Sequence, residues 1–189
     1  MNIRLDLSKV RTLDRLEELV LYVINLCEKD SQFAYTKLNK LVFRVDLEAF
    51  CRTGRTVSGA TYQKEKFGPV PRAMPIILKK LESGRRIAVE DVKINAKPAK
   101  RPTAQDEPDL SEFSPRDLEI ISKVIAENFN KSGTRMSNET HNRLAYDAFE
   151  MGETIPFSAW LVEPGEVTEE DRKIAARLEV KAGARHGRS

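Results

Sequence analysis

From Thr36 to Arg52 the apolar residues wrap too far around a helix to sit on a single stripe. Leu38, Leu41, Val42, Val45 and Ala49 recur at spacings of three and four and share one face, while Phe43, Leu47 and Phe50 widen it. This pattern predicts a helix buried on two sides, which the remainder of the chain has to cover. Thr36 is placed to cap its start. The Thr53-Gly54-Arg55 turn is placed to stop it, with Gly54 suited to the left-handed conformation that ends helices.

Further helices are predicted on either side. Leu16, Leu19, Val20, Val23, Ile24 and Cys27 form one apolar face between about Leu13 and Lys29, opposite a solvated face of Asp14, Arg15, Glu17 and Glu18. A third helix is expected over Pro71–Leu81, with Pro75 tolerated only near its first turn. Ser114-Pro115-Arg116-Asp117 opens a fourth, with Ser114 as cap, Pro115 in first position and Asp117 facing the positive end of the dipole. Ser137 would cap a fifth, ending near Phe149, and Thr168 with Asp171 a sixth running through Leu178. Residues 56–69 read as a strand or extended loop closing in a turn. The alternation of Ile87, Val89, Val92 and Ile94 reads as two short strands, and Ala96–Asp109, with Pro98, Pro102 and Pro108, as a loop. The expected fold is α+β and predominantly helical, about six helices with a small antiparallel strand element between helices three and four. Residues 1–180 are expected to form a single domain and residues 181–189 a flexible basic tail.

The 189 residues are 40% hydrophobic and 32% charged, too apolar and too near charge balance for a wholly disordered chain. No run of 18 apolar residues is present, so no membrane span is expected. Met1–Leu7 lacks the pattern of a secretory signal. Cys27 and Cys51 form no CxxC pair, which argues against a disulfide framework and for a reducing cytoplasm. With His141 and His186 they match no local zinc-ligand spacing. No Gly-Lys-Ser/Thr follows the Gly54–Gly59 segment, and GxGxxG, GxSxG and HExxH are all missing. No catalytic, metal or cofactor residue is therefore expected, and His141 reads as a locally bonded side chain rather than a general base.

Charge is segregated although the net is only +3. Residues 52–86 carry nine basic side chains against Glu65 and Glu82, and residues 150–171 carry seven acidic ones and no basic one. Such a chain suits a charged partner, or its two runs lie against each other in the fold.

Lys37-Leu38-Asn39-Lys40-Leu41, the Thr53-Gly54-Arg55 turn, Thr61-Tyr62-Gln63-Lys64 and Phe67-Gly68-Pro69-Val70-Pro71 together resemble the SocA-like antitoxin family, also called the Panacea domain. Leu110–Ser114, Ser137–His141 and the Gly152, Ile155-Pro156 ending extend the resemblance over roughly Leu16 to Trp160, with Tyr146 standing where many relatives carry Trp. The signature residues here are Lys37, Leu38, Lys40, Leu41, Gly54, Gly68, Pro69, Val70 and His141. The resemblance implies a bacterial or phage-associated antitoxin that binds and neutralises a protein toxin encoded by a neighbouring gene, and that can serve as an adaptor delivering it to a protease such as ClpXP. It carries over no catalytic residue. The Gly68-Pro69 turn has a structural role as an anchored tight turn. Its expected functional role is a partner-binding rim of Lys64, Lys66, Phe67, Gly68, Pro69 and Arg72 that meets an acidic surface. Two alternatives remain. One is an unrecognised enzyme with His141 in a cleft. The other is a DNA-binding regulator of its own operon, with helices four and five as a helix-turn-helix presenting Asn138, Asn142 and Arg143.

Overall fold

The computed structural model describes residues 7–136 and 144–161. Its elements are α1 (Leu7–Leu26), α2 (Tyr35–Thr53), the hairpin β1 (Tyr62–Glu65) and β2 (Gly68–Pro71), α3 (Met74–Ser83), the hairpin β3 (Ile87–Ile94) and β4 (Lys97–Ala104), α4 (Pro115–Asn128), a short helix Leu144–Asp147 and a 3-10 helix Phe157–Leu161.

The centre is α2, buried on two sides as its sequence requires. Leu38, Leu41, Val42, Val45 and Ala49 join the main core with Leu19, Val23 and Ile24 of α1, Ile77 and Leu81 of α3, and Ile120, Ile121 and Val124 of α4. Phe43 turns to a second, aromatic core with Tyr62, Tyr146, Ile155 and Trp160, where Leu47 and Phe157 also pack. Phe43 meets the Trp160 ring edge-on at 4.9 Å and stacks on Phe157 at 5.9 Å. Chain from beyond residue 143 thus closes over the face of α2 that α1 and α4 leave open.

The helix ends follow local chemistry in part. Gly54 sits at φ 70°, and its N–H returns to the Phe50 carbonyl at 2.8 Å. Ser114 and Asp117 form a reciprocal capping box with Pro115 in the first turn. Thr36, however, caps nothing: α2 begins one residue earlier, after Ala34, with no side-chain cap. The third helix starts at Met74 rather than Pro71, because Pro71 ends β2 and pairs with Tyr62.

The strand reading needs two corrections. Five α-helices rather than six lie among the described residues, and the strands are not confined to the interval between helices three and four, since β1–β2 precedes α3. The Ala96–Asp109 segment is also not a loop over most of its length. Ile87–Ile94 is one continuous strand, and Lys97–Ala104 pairs with it residue for residue despite two prolines. Register explains this. The Gln105 N–H reaches the Arg86 carbonyl at 2.8 Å, so in an antiparallel ladder alternate residues 103, 101 and 99 face β3. Pro98 and Pro102 fall on the other phase, where their missing N–H would have pointed outward. The link is Asn95-Ala96, both at positive φ (50° and 64°), a two-residue turn in which Ala occupies the position usually held by Gly.

The expected solvated face of α1 is covered by ion pairs instead. Glu17 is buried, 2.5 Å from Lys80 and 3.2 Å from Arg86, and Arg86 also reaches Glu18 at 2.6 Å. Two cations of the basic run are thereby paired within the chain, Arg86 partly buried and Lys80 at the surface. The expected sixth helix, the 181–189 tail, His141, and the Asn138, Asn142 and Arg143 set lie outside the described residues. Among the described residues no helix is long and apolar enough to cross a membrane.

Candidate functional site

The β1–β2 hairpin carries most of the residues singled out from sequence, and α2 carries the machinery that holds it. Lys66 and Phe67 form the tip; neither takes a positive φ, and Gly68 absorbs the reversal at φ 117°. A Cβ on Gly68 would stand 3.3 Å from the Lys40 ammonium nitrogen, so a side chain there meets both backbone strain and a neighbour. Lys40 is buried, and its Nζ donates to the Phe67 carbonyl. Burial, with Arg44 nearby, pulls its pKa down from 10.5 to about 8.

A buried carboxylate holds the base of the hairpin. Asp46 on α2 accepts from the Ser58 N–H at 2.8 Å, from the Ser58 hydroxyl, and from the Tyr62 hydroxyl at 2.7 Å. Burial raises the Asp46 pKa and these donors oppose the rise. Tyr62 in turn is pushed well above its ordinary value by burial and by the Asp46 charge. Sequence reading missed this triad, although an Asp one residue beyond Val45 and three before Ala49, inside an apolar face, is the signal that could have found it.

A third hold comes from the 146–155 segment. The Tyr146 hydroxyl donates to the Glu65 carbonyl, Ile155 N–H to Tyr62 at 2.9 Å, and Lys64 N–H to the Glu153 carbonyl at 2.8 Å. Lys64 Nζ reaches the Phe149 carbonyl at 2.8 Å and lies 4.4 Å over the Tyr146 ring. Arg72 donates to the Thr154 hydroxyl at 3.2 Å. Of the six rim residues, Lys64 and Arg72 therefore bind the chain's own 149–154 stretch, and Gly68 and Pro69 are buried. Lys66 and Phe67 project, with Phe67 60% exposed.

Beside the tip lies a cavity of about 570 Å³. Lys40, Lys66, Phe67, Ile94, Lys97 and Pro98 are among its walls, so the tips of both hairpins meet there, and among the described residues no carboxylate lines it. Lys37 is also on its wall but already paired. Its Nζ lies 2.6 Å from Asp30, both side chains essentially inaccessible. Asp30 further accepts from the Gln32 N–H at 2.8 Å and the Asn130 N–H at 3.1 Å, so this pair joins the α1–α2 loop to the end of α4.

These contacts explain the Lys37-Leu38-Asn39-Lys40-Leu41 string. Lys37 neutralises a buried acid, Leu38 and Leu41 fill the main core, and Lys40 clasps the turn. Among the described residues no group of three or more His, Cys, Asp or Glu could hold a metal ion. Cys27 is buried and its thiol is pushed up to about 12, chiefly by burial, which makes it inert at neutral pH.

A family model described as "Antitoxin SocA-like, Panacea domain" matches residues 38–145. No curated protein and no solved structure matches the chain.

Proposed function

Because the chain belongs to the SocA-like antitoxin family, whose Panacea-domain model covers more than half of it, we propose that it is an antitoxin that neutralises a partner protein toxin by binding it, with Lys66 and Phe67 at the β1–β2 tip making the contact. The observation that carries the contact site is an exposed aromatic on a rigidly held turn. Phe67 is 60% exposed, while its carbonyl is held by Lys40. A large side chain presented on pre-ordered backbone loses little entropy on docking, and such residues dominate binding energy. Lys66, Lys97 and Lys40 around the adjacent cavity favour an acidic toxin surface. Neutralisation by binding needs no catalytic group in this chain.

The test is survival on co-expression with the neighbouring open reading frame. The neighbour alone should kill, the wild-type pair should grow, and the pair carrying Lys66→Glu with Phe67→Ala should die although the variant keeps its melting temperature. Rescue by that variant would remove the tip from the interface, and a harmless neighbour would remove the toxin–antitoxin reading for this pair. Toxin that co-purifies at undiminished levels indicates occlusion, whereas toxin that disappears only in cells with ClpXP indicates delivery to that protease.

A further inference from the structure

A second cavity, of about 760 Å³, lies on another part of the molecule, between α1, the loop after α2 and the start of α4. Four arginines line it: Arg15, Arg52, Arg55 and Arg116. We propose that this cleft binds a small phosphate-bearing ligand of nucleotide size, independently of toxin recognition.

The charge balance of the cleft follows from its contacts. Arg15 is a strut: it reaches the Val57 and Glu112 carbonyls and lies 3.0 Å from Asp117. Asp117 is likewise engaged, accepting from both the N–H and the hydroxyl of Ser114. These two charges cancel. Arg52 is also compensated, so the remainder is Arg55 and Arg116 against Glu112. Arg52 pairs with Glu48 at 2.6 Å and lies 3.9 Å from Glu119, and Arg116 lends one N–H to the Arg52 carbonyl at 3.3 Å. Arg55 is exposed and makes no ion pair among the described residues. The like charges of Arg55 and Arg116 share the cleft, and a bound anion relieves their repulsion.

The chemistry of the walls selects the anion. Guanidinium forks match the paired oxygens of phosphate and hold their charge at any physiological pH. Among the described residues Val57 is the only large apolar side chain on the walls and is itself buried, so the described walls offer a peptide side chain no anchor. The volume lies within the range of roughly 300–1,000 Å³ typical of small-ligand sites. The turn that frames the cleft is the Thr53-Gly54-Arg55 signature. Gly54 at φ 70° sends Arg55 back across the end of α2 instead of onward along it.

Calorimetric titration of the full-length protein with ATP, inorganic pyrophosphate and adenosine, at low and at physiological ionic strength, tests the proposal. ATP and pyrophosphate should bind with micromolar to millimolar dissociation constants that weaken as salt rises, and adenosine should not bind. Arg55→Glu and Arg116→Glu should each weaken ATP binding roughly tenfold or more, while Lys66→Glu leaves it unchanged. Arg55→Gln, at an exposed site without an ion pair, keeps the test decisive if either charge reversal unfolds. No binding of ATP or pyrophosphate at millimolar concentration overturns the proposal, as does equal affinity in wild type and both arginine variants. Retention of nucleic acid polymers without affinity for ATP or pyrophosphate also overturns it. Because the toxin-rescue assay reads the hairpin tip, failure of one reading leaves the other standing.

Discussion

Replacing Lys37 by Met should cost this protein a large share of its stability while leaving the exposed Lys66–Phe67 tip, the proposed toxin contact, unaltered. The Lys37–Asp30 pair is 2.6 Å long, with side chains 1% and 0% exposed. Met keeps most of the length and apolar volume of the lysine stem, so the cavity left behind is small. What remains is a buried carboxylate with the Gln32 and Asn130 amides as donors and, among the described residues, no cation paired with it, since Arg101 reaches only the Asp30 backbone carbonyl. Breaking a buried pair in this way costs about 3–5 kcal/mol, against a total stability of about 5–15 kcal/mol for a domain. With a urea slope of about 2 kcal/mol per molar, the unfolding midpoint should fall by about 2 M. Urea titration followed by far-ultraviolet circular dichroism measures this, with the slope unchanged. Adding Asp30→Asn should recover much of the loss, because the stranded charge is then gone. A Lys37→Met midpoint within about 0.5 M of wild type, or a double variant no better than the single, would refute the buried-charge account. Toxin affinity per folded molecule should not change.

Lys40 gives a pH signature. Its folded pKa of about 8 lies below the ordinary 10.5, so between these values the unfolded chain binds more protons, and stability from this group rises with pH through that window. Wild type should therefore gain on Lys40→Met between pH 8 and 10, and a difference that is flat or falling across that range rules the effect out. Gly68→Ala should destabilise by about 1–3 kcal/mol, because φ 117° is strained for alanine and its Cβ crowds Lys40; an unchanged melting temperature contradicts this. Tyr62→Phe removes one of the donors to Asp46 and should cost about 1–3 kcal/mol, read by urea titration, whereas a neutral substitution would mean water replaces the hydroxyl.

Helices with local signals were legible before any coordinates. The two-sided face of α2, its Gly54 stop and the Ser114–Asp117 box depend on periodicity and on contacts within four residues, which a linear reading samples directly. β4 was missed because proline is read as a strand breaker, and its tolerance here depends on which edge of the ladder each N–H would face. The Asn95-Ala96 turn lacked the glycine that flags such a link. At the candidate site, sequence singled out six rim residues but could not sort them. Lys64 and Lys66 are two residues apart and chemically alike. One is taken up by Phe149 and Tyr146, the other stays at the tip, and the partner that decides lies about 85 positions away.

Sequence by itself determined the two-sided α2, its Gly54 stop, the Ser114–Asp117 box and the family signature, because these are local patterns of apolar spacing and backbone preference. Tertiary structure alone decided which charges remain available. Glu17, Arg86, Lys80, Lys37 and Lys64 all read as surface charges along the chain, yet Lys37 is taken up by Asp30 of the preceding loop and the others meet partners from distant segments. Lys66 and Arg55 make no ion pair among the described residues, and with the exposed ring of Phe67 they are the groups left facing a ligand. The reason is physical: burial and charge pairing are properties of neighbours in space, and chain order does not specify those neighbours until the fold has closed.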